Sequence, residues 1–245
     1  MVFDTDGVII DSARLHAAAW KTAFDACLKA NPPDDLSARR PFDRDDYLRY
    51  VDGKARMDGA TAFLASRGLT LPPGTIADPP GTDTVGAVAA RKEQLFTERI
   101  RTRDVEAYPG TLLLLRHLRG EGVAMAAVSA SRHARELLDR SGVLPYFAAV
   151  IDGAEAARLG LPGKPAPDLF LAAAGRLALP AARTAVIEDA LAGVEAGRRG
   201  GFHLVVGVDR NAAPDTRAAL LGRGADVVVD DLSELLTDST EDDDG

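Results

Sequence analysis

The stretch MVFDTDGVIIDS (residues 1–12) decides the fold predicted for this chain. A short apolar run leads into Asp4, and Asp6 follows after one intervening residue. Because alternate side chains of a strand point to the same face, Asp4 and Asp6 are expected to share a face at the end of a strand. Gly7 permits a turn that would bring the two carboxylates together, and such a pair needs a proton or a cation between them. Taken alone, an ordinary turn that favours Asp and Gly would explain the pattern equally well.

The strand that would carry Asp4 is short as written. Only three residues precede Asp4, whereas a typical strand has about five or six. Either the strand is short or the natural start lies upstream, and the sequence leaves both alternatives open.

Composition predicts a soluble, globular protein. The chain has 245 residues, enough for one large α/β domain or for a core domain with a smaller one. Hydrophobic residues make up 46% and aromatic residues only 5%, so the core is expected to be mostly Ala, Val and Leu. No apolar run approaches the roughly 20 residues that a membrane span needs, and no leader-like segment precedes Asp4. We therefore expect a cytoplasmic enzyme with no membrane partner.

Cysteine content and charge exclude several other classes. Cys27 is the only cysteine, which excludes an internal disulfide and a thiolate metal cluster. The net charge of −8 argues against a nucleic-acid surface. Five acidic residues lie within residues 238–245, and this segment is predicted to be a disordered, solvated tail.

Helical spacing of apolar residues dominates the segment after the first strand. The pattern predicts helices over residues 13–30, 43–51, 57–67 and 85–102, with Asp11 or Ser12 capping the first of them. Residues 71–84 are rich in Pro, Gly, Thr and Asp, a composition that indicates a loop. Residues 13–102 are therefore expected to form an all-helical domain inserted after the first strand.

From residue 109 onwards the pattern changes to helices that alternate with short strands. The predicted strands are residues 123–128, 148–151, 184–187, 204–208 and 226–229; the predicted helices are 110–119, 132–140, 166–177, 190–199 and 213–221. This alternation is typical of a doubly wound parallel sheet with helices on both faces. Residues 1–12 and 103–237 would form this core domain, with ligands at the carboxyl ends of its strands.

Polar residues stand where those strands end. Ser129, Asp152 and the pair Glu188–Asp189 each follow or end a predicted strand, and Lys164 precedes a predicted helix. Each of these residues alone could be a helix cap or a solvated loop residue. Together with Asp4 and Asp6 they predict one site at one edge of the sheet.

These motifs resemble those of the haloacid dehalogenase superfamily. The resemblance rests on D4-T-D6-G7-V8, the strand end at Ser129, Lys164 in GKPAPD and E188-D189-A-L-A-G193, and it spans almost the whole chain. The insertion after the first strand is similar to the type-one helical cap of that superfamily. Within it, DGVIIDSARLHAAAW, S129-A-S131 and GKPAPDLFL resemble the β-phosphoglucomutase group.

The resemblance implies a chemistry for the core residues. Asp4 would be the nucleophile that forms an aspartyl phosphate, and Asp6 would be the general acid and base. A magnesium ion would be held by Asp4, Asp6 through its backbone carbonyl, Asp189 and Glu188, since oxygen ligands suit Mg²⁺ better than Zn²⁺. Ser129 and Lys164 would hold the phosphoryl oxygens, completing a catalytic set of Asp4, Asp6, Ser129 and Lys164.

The resemblance also implies substrate-binding residues outside the core motifs. Lys92 interrupts an apolar helical stripe, where snorkelling to the rim is the alternative explanation. By resemblance, Lys92 and His16 couple cap closure to Asp6, while Arg56, beside the turn at Gly53, grips a second phosphate. The remaining expected substrate-binding residues are Ala130, Ser131, Arg132 and His133. Arg132 and His133 stand where the group usually has Lys and Asn, and an Arg fork binds phosphate differently from a Lys.

Two related functions follow from the resemblance. One is a mutase that moves phosphate between C1 and C6 of β-glucose through a bisphosphate, and the other is a sugar-phosphate phosphatase with the same core. Dehalogenation is disfavoured because that branch needs no magnesium and the chain carries Glu188–Asp189. A phosphorylated signalling receiver is disfavoured because it is a single small domain with its acceptor Asp on a later strand. A monomer acting on a small sugar phosphate is expected.

Overall fold

The computed structural model describes residues 1–101, 105–210 and 214–236. The chain divides into two compact units. Met1–Asp11 together with Glu106–Gly245 form the first, called the core unit below, and Ser12–Val105 form the second, called the helical unit. The domain boundaries expected from sequence, after residues 12 and 102, stay predictions. Residues 102–104 and the acidic tail 238–245 lie outside the described residues.

Four α-helices build the helical unit in the part of it that is described. They are α1 (Ala13–Ala30), α2 (Arg44–Asp46, continued by a π-helical turn over Tyr47–Val51), α3 (Arg56–Ser66) and α4 (Val85–Arg101). Their apolar faces enclose an aromatic cluster of Trp20, Phe24, Phe42 and Phe63. Gly68, with φ of +69°, follows the end of α3, and its left-handed backbone lets the Leu69 amide donate to the Leu64 carbonyl. The loop predicted over residues 71–84 is also found without helix or strand.

Six parallel strands form the sheet of the core unit, as the sequence predicted. They are β1 (Val2–Asp4), β2 (Ala126–Val128), β3 (Ala149–Ile151), β4 (Ala185–Glu188), β5 (Leu204–Val208) and β6 (Val227–Val229). Their order in the sheet is β3-β2-β1-β4-β5-β6. The order reverses between β1 and β4, which is the switch point where such sheets bind ligands.

Helices of the core unit connect these strands. They are α5 (Pro109–Gly120), α6 (Ala134–Arg140), α7 (Gly153–Leu159), α8 (Asp168–Arg176), α9 (Leu191–Arg199) and α10 (Pro214–Arg223). Residues of α7 to α10 pack with Val2, Val128 and Val186 in one hydrophobic cluster against the sheet. Val2 and Phe3 of β1 have no exposed surface, which fits a strand with a neighbour on either side.

Two elements differ from the sequence prediction. The ladder of β2 starts at Ala126 rather than at residue 123, because Ala126 is the residue that pairs with Val2 at the start of β1. The prediction also missed α7, whose seven residues are too few to show an apolar period. Asp152 caps this helix, accepting hydrogen bonds from the Ala154 and Glu155 amides at 2.9 Å each. The Asp152 carboxylate is therefore used in a helix cap.

Among the residues described, we find no helix that is both long and apolar enough to cross a membrane.

Candidate active site

The two middle strands and their neighbour β2 bring the predicted core residues to one edge of the sheet. Asp4 is the last residue of β1, Glu188 is the last residue of β4, and Ser129 directly follows β2. Because β1 lies between β2 and β4 and all three run in the same direction, these ends are adjacent. The switch point therefore carries the polar residues that the sequence placed at strand ends.

Lys164 is the buried cation of this site. Its side chain has no exposed surface, and its Nζ donates to Asp4 Oδ1 and, at 2.7 Å, to Glu188 Oε1. The Nζ also lies 4.8 Å from the centre of the Phe170 ring. Burial alone would lower the pKa of Lys164, but the carboxylates of Asp4 and Glu188 outweigh that effect and raise it above its usual value. The ammonium group therefore stays charged and links two strand ends.

The surroundings of Asp4 disfavour its ionised form, and Lys164 alone does not offset this effect. Burial raises the pKa of Asp4 well above its ordinary value; Lys164 opposes this, while Glu188 and Asp6 raise the pKa further. A second cation would keep Asp4 ionised. Oxygen atoms of Asp4, Glu188 and Asp189 lie within 4.8 Å of one another. A donor set made only of carboxylate oxygens fits Mg²⁺.

Glu188 has a fixed orientation in this group. Its Oε2 accepts hydrogen bonds from the backbone amides of Asp189, at 2.6 Å, and Ala190, at 3.0 Å. Its Oε1 accepts the bond from Lys164. Gly193 of α9 permits this packing, because a Cβ there would lie 1.4 Å from Glu188 Oε1. Glu188 thus holds Lys164 and also contributes negative charge to the group of carboxylates formed with Asp4 and Asp189.

Asp6 has partners different from those of Asp4. The Asp6 carboxylate accepts a hydrogen bond from the Ser129 hydroxyl at 2.7 Å, whereas its backbone amide donates to Asp4 Oδ2 at 2.8 Å. The turn at Gly7 thus leaves the two carboxylates on separate donors, with Asp4 on Lys164 and Asp6 on Ser129. The two carboxylates therefore differ chemically, because Asp4 lies beside an ammonium group and Asp6 beside a hydroxyl.

The loop after β2 presents the residues expected to bind substrate. Ser131 donates its backbone amide to Ser129 Oγ at 2.9 Å, and its own Oγ accepts the His133 amide at 3.3 Å. The Gly153 amide donates to the Ser131 carbonyl at 3.0 Å, and a Cβ on Gly153 would lie 2.4 Å from the carbonyl oxygen of Ala130. Arg132 is exposed in this loop. The start of α7 therefore fixes the backbone beside Ser129.

Comparison with known proteins agrees with this geometry. A family model described as a hydrolase, haloacid dehalogenase-like hydrolase, matches residues 1–201. The chain belongs to this family. It is therefore an enzyme of the haloacid dehalogenase-like hydrolases, as the strand-end motifs predicted.

Individual relatives lie on both the mutase and the phosphatase side of the family. The chain is 40% identical to a β-phosphoglucomutase of Mycobacterium bovis over 236 residues, covering 96% of this chain and 90% of the relative. It is 27% identical to hexitol phosphatase A of Escherichia coli over 216 residues, covering 88% and 84%. A solved hydrolase from Pseudomonas syringae has a TM-score of 0.73 at 23% identity, covering 96% of this chain and 94% of that one. That likeness shows the fold alone.

The haloacid dehalogenase-like core is accompanied by a second group of predicted residues within the helical unit. Lys92 Nζ lies 2.9 Å from His16 Nδ1 and 4.5 Å from the centre of the Phe96 ring, on which His16 is stacked. Lys92 is only 4% exposed, so it does not snorkel to a rim. Arg56 pairs with Glu93 at 3.0 Å, and Gly53 turns the chain before α3 with φ of +69°. Lys92 and His16 are thus in contact with each other, whereas Arg56 forms a separate ion pair with Glu93.

Sequence reasoning missed two residues that contact the loop around Asp6. Thr111 donates to the Val8 carbonyl at 2.7 Å, and Arg210 donates to the Val8 carbonyl at 2.9 Å and to the Gly7 carbonyl at 3.3 Å. Neither lies in a motif of the haloacid dehalogenase-like family quoted above. Both side chains bind backbone carbonyls. Every residue has a backbone carbonyl, so the sequence offered no signal for these contacts.

Gly7 gives the first prediction, because its missing side chain leaves room for a carboxylate. Its φ is +84°, and a Cβ there would lie 1.8 Å from Asp189 Oδ2. We expect Gly7→Ala to displace Asp189 and to lower kcat about 10- to 100-fold, and to raise the Mg²⁺ concentration needed for half-maximal activity. Activity titrated with Mg²⁺ measures both effects.

Gly142→Ala is the matched control for Gly7→Ala. Gly142 also has a left-handed backbone, with φ of +72°, but a Cβ added there would meet no atom within 4 Å. Both variants should lose about 1 kcal/mol of stability from backbone strain, and only Gly7→Ala should change the Mg²⁺ dependence. An equal effect of both variants on activity would contradict the prediction.

Proposed function

We propose that the chain is a magnesium-dependent phosphoryl-transfer enzyme that acts on a sugar phosphate through an aspartyl-phosphate intermediate at Asp4. The preferred reaction is that of a β-phosphoglucomutase, from β-glucose 1-phosphate to glucose 6-phosphate. The observation that carries the proposal is the separation of the two acids, with Asp4 on Lys164 and Asp6 on Ser129. The 40% identity to a β-phosphoglucomutase supports the choice of sugar.

The separation of partners assigns one step to each acid. An Asp4 carboxylate oxygen attacks phosphorus, so that an O–P bond forms while the bond to the sugar oxygen breaks. The leaving sugar oxygen takes a proton from Asp6. In the return step, the ionised Asp6 removes the proton from the incoming hydroxyl, which attacks phosphorus and frees Asp4. Asp6 thus changes between acid and base, and the Ser129 hydroxyl at 2.7 Å orients its carboxylate.

Mg²⁺ is the cofactor of the proposal. Asp4, Asp189, Glu188 and the backbone carbonyl of Asp6 would hold it. When bound, the ion supplies positive charge that keeps the buried Asp4 ionised and balances the charge of the phosphoryl oxygens. Lys164 adds a fixed ammonium at Asp4 Oδ1, and in the proposal it and Ser129 also bind phosphoryl oxygens.

The proposal extends to the residues that would select the substrate. The helical unit acts as a type-one cap in which Arg56, beside Gly53, binds a second phosphate, and Lys92 with His16 links closure to Asp6. Phosphate has to compete with Glu93 for Arg56, because the two side chains form an ion pair at 3.0 Å. In the core unit, Ala130, Ser131, Arg132 and His133 complete the substrate-binding set. We place the enzyme in the cytoplasm as a monomer, with sugar phosphates rather than nucleic acids or membranes as partners.

One assay tests the mutase proposal. The enzyme is incubated with β-glucose 1-phosphate, Mg²⁺ and a trace of β-glucose 1,6-bisphosphate, and glucose 6-phosphate and free phosphate are measured separately. Glucose 6-phosphate should be the main product, and chelation of Mg²⁺ by EDTA should stop its formation. Free phosphate as the main product would contradict the mutase.

A sugar-phosphate phosphatase is the second candidate function. It is favoured by the similarity to hexitol phosphatase A, which covers 88% of this chain. The same Asp4 and Asp6 would serve, with water in place of the incoming sugar hydroxyl. In the assay above, this function yields free phosphate at the rate at which substrate disappears.

A further inference from the structure

The general acid and base of the proposed reaction lies in a tightly closed loop, residues 5–10, called the acid loop here. The Thr5 carbonyl accepts hydrogen bonds from the amides of Ile9 and Ile10, at 3.0 Å each. The Gly7 amide donates to the Ile10 carbonyl at 2.9 Å. The Thr5 hydroxyl donates to the Val128 carbonyl at 3.0 Å. These bonds close the loop upon itself and attach its start to β2.

The other side of the acid loop is held by a partly buried arginine, Arg210, which lies two residues beyond the end of β5. Arg210 donates to the carbonyls of Gly7 and Val8, at 3.3 and 2.9 Å, and to Thr111 Oγ1 at 3.0 Å. Its guanidinium also pairs with Asp231 at 2.7 Å and lies 4.0 Å from the centre of the Tyr108 ring. The Arg210 side chain is only 14% exposed. A planar fork with five N–H groups suits this set of acceptors.

Thr111 and Tyr108 also bind carbonyls of the acid loop. The Thr111 hydroxyl, buried at the start of α5, donates to the Val8 carbonyl at 2.7 Å. Tyr108 donates its amide to the Ile9 carbonyl at 3.0 Å and its hydroxyl to Asp11 Oδ1 at 3.0 Å. Consecutive carbonyls of the acid loop, at residues 7, 8 and 9, are therefore each bound by a donor from Arg210, Thr111 or Tyr108.

We infer that Arg210 is a positioning residue for Asp6, acting with Thr111 by fixing the two carbonyls that directly follow it. The inference rests on the acid and base role proposed for Asp6. The Asp6 side chain is attached to the backbone immediately before the Gly7 and Val8 carbonyls that Arg210 binds. A shift of about 1 Å at a reacting group costs on the order of 100-fold in rate. The nucleophile Asp4 accepts the Asp6 amide on Oδ2 but is also held through Lys164 on Oδ1, so loss of Arg210 should affect the proton-transfer step more than the attack by Asp4.

Leaving groups of different basicity separate this role from a general loss of structure. Acetyl phosphate releases acetate, which needs no proton from Asp6, whereas β-glucose 1-phosphate releases a sugar oxygen that does. Arg210→Gln should lower kcat for β-glucose 1-phosphate by about tenfold or more, with KM within about threefold. The rate at which acetyl phosphate phosphorylates Asp4 should stay within about threefold of wild type. Rapid-quench kinetics with intact-protein mass spectrometry measures the phosphorylated enzyme.

Arg217→Gln is the matched control. Arg217 lies in the same unit and also binds one backbone carbonyl, that of Val228 at 2.6 Å, and one carboxylate, that of Asp230 at 2.8 Å. These bonds do not involve the acid loop. Arg217→Gln should therefore react with acetyl phosphate and with β-glucose 1-phosphate at wild-type rates. Equal loss with both phosphate donors in Arg210→Gln, or the same selective loss in Arg217→Gln, would overturn the inference.

A second variant keeps the test decisive if Arg210→Gln does not fold. Thr111→Val is nearly isosteric and removes the Thr111 bond to Val8 together with one bond from Arg210. It should show a smaller selective loss with β-glucose 1-phosphate, and no selective loss in this variant would then overturn the inference. If neither donor phosphorylates the wild-type enzyme at Asp4, it is the proposed function that fails.

Discussion

Replacing Asp4 with asparagine is expected to abolish phosphoryl transfer, lowering kcat by about 10⁴-fold or more. The amide is no nucleophile, so no aspartyl phosphate can form. The change keeps the shape of the side chain, but one of its two positions now carries N–H groups. Lys164 and the Asp6 amide both donate to the Asp4 carboxylate, so the new donor faces one of them. The measurement is kcat for β-glucose 1-phosphate, with acetyl phosphate labelling of the protein.

Asp152→Asn is the matched control for the loss of Asp4. Asp152 is also a largely buried carboxylate at the end of a strand, but it caps α7. Asparagine is a good N-cap residue, so this variant should fold and keep its activity within a few-fold. Turnover retained by Asp4→Asn would show that another group is the nucleophile.

Replacing Lys164 with methionine has the second-largest expected effect, and it acts on stability as well as on rate. The change removes the ammonium that separates Asp4 from Glu188 and leaves two carboxylates buried side by side. Breaking a buried pair in this way costs about 3–5 kcal/mol, and kcat should fall by about 10²- to 10³-fold. Urea unfolding and the mutase assay measure the two effects.

The stability loss in Lys164→Met should depend on pH. Lys164 opposes the rise that burial causes in the pKa of Asp4, so without Lys164 that pKa rises further. A carboxyl whose pKa is higher in the folded than in the unfolded protein binds more protons when folded, and its contribution to stability is lost as pH rises. The metal-free variant should therefore lose stability relative to wild type between about pH 5 and pH 8. Lys21→Met, which removes an exposed pair with Asp25, should change stability by less than about 1 kcal/mol at either pH.

The architecture was predictable because the segment after residue 109 alternates between two clear periods. Short apolar runs that alternate with segments of helical periodicity fit few folds other than a parallel sheet flanked by helices. The carboxyl ends of parallel strands lie at one edge of such a sheet. Asp4, Ser129 and Glu188 could therefore be assigned to one site from their positions in the sequence. Lys164 could be assigned to the same edge because it precedes a predicted helix, but no periodicity would have placed its ammonium group between Asp4 and Glu188.

Other features depend on contacts that residue types do not encode. The Ser129 bond to Asp6 and the burial of Lys92 beside His16 follow from side-chain directions that are set by packing. Asp152 was predicted at the strand ends with the site residues, but its carboxylate caps a helix that was too short to detect. Arg210 binds carbonyl oxygens, which every residue has, so a sequence cannot show which ones it will choose.

The position of β1 has a consequence for how the chain folds as it is synthesised. Val2 pairs with Ala126 on one side and Val186 on the other. The whole helical unit, Ser12–Val105, is therefore made before either neighbour of the first strand exists. The helical unit is one continuous segment, whereas the sheet must wait for residues from the far end of the chain, and closing such long loops makes folding slow. During synthesis, β1 is therefore made well before both of its neighbours, and nascent chains that stop before β4 lack the pairing of Val2 with Val186 and of Phe3 with Ile187.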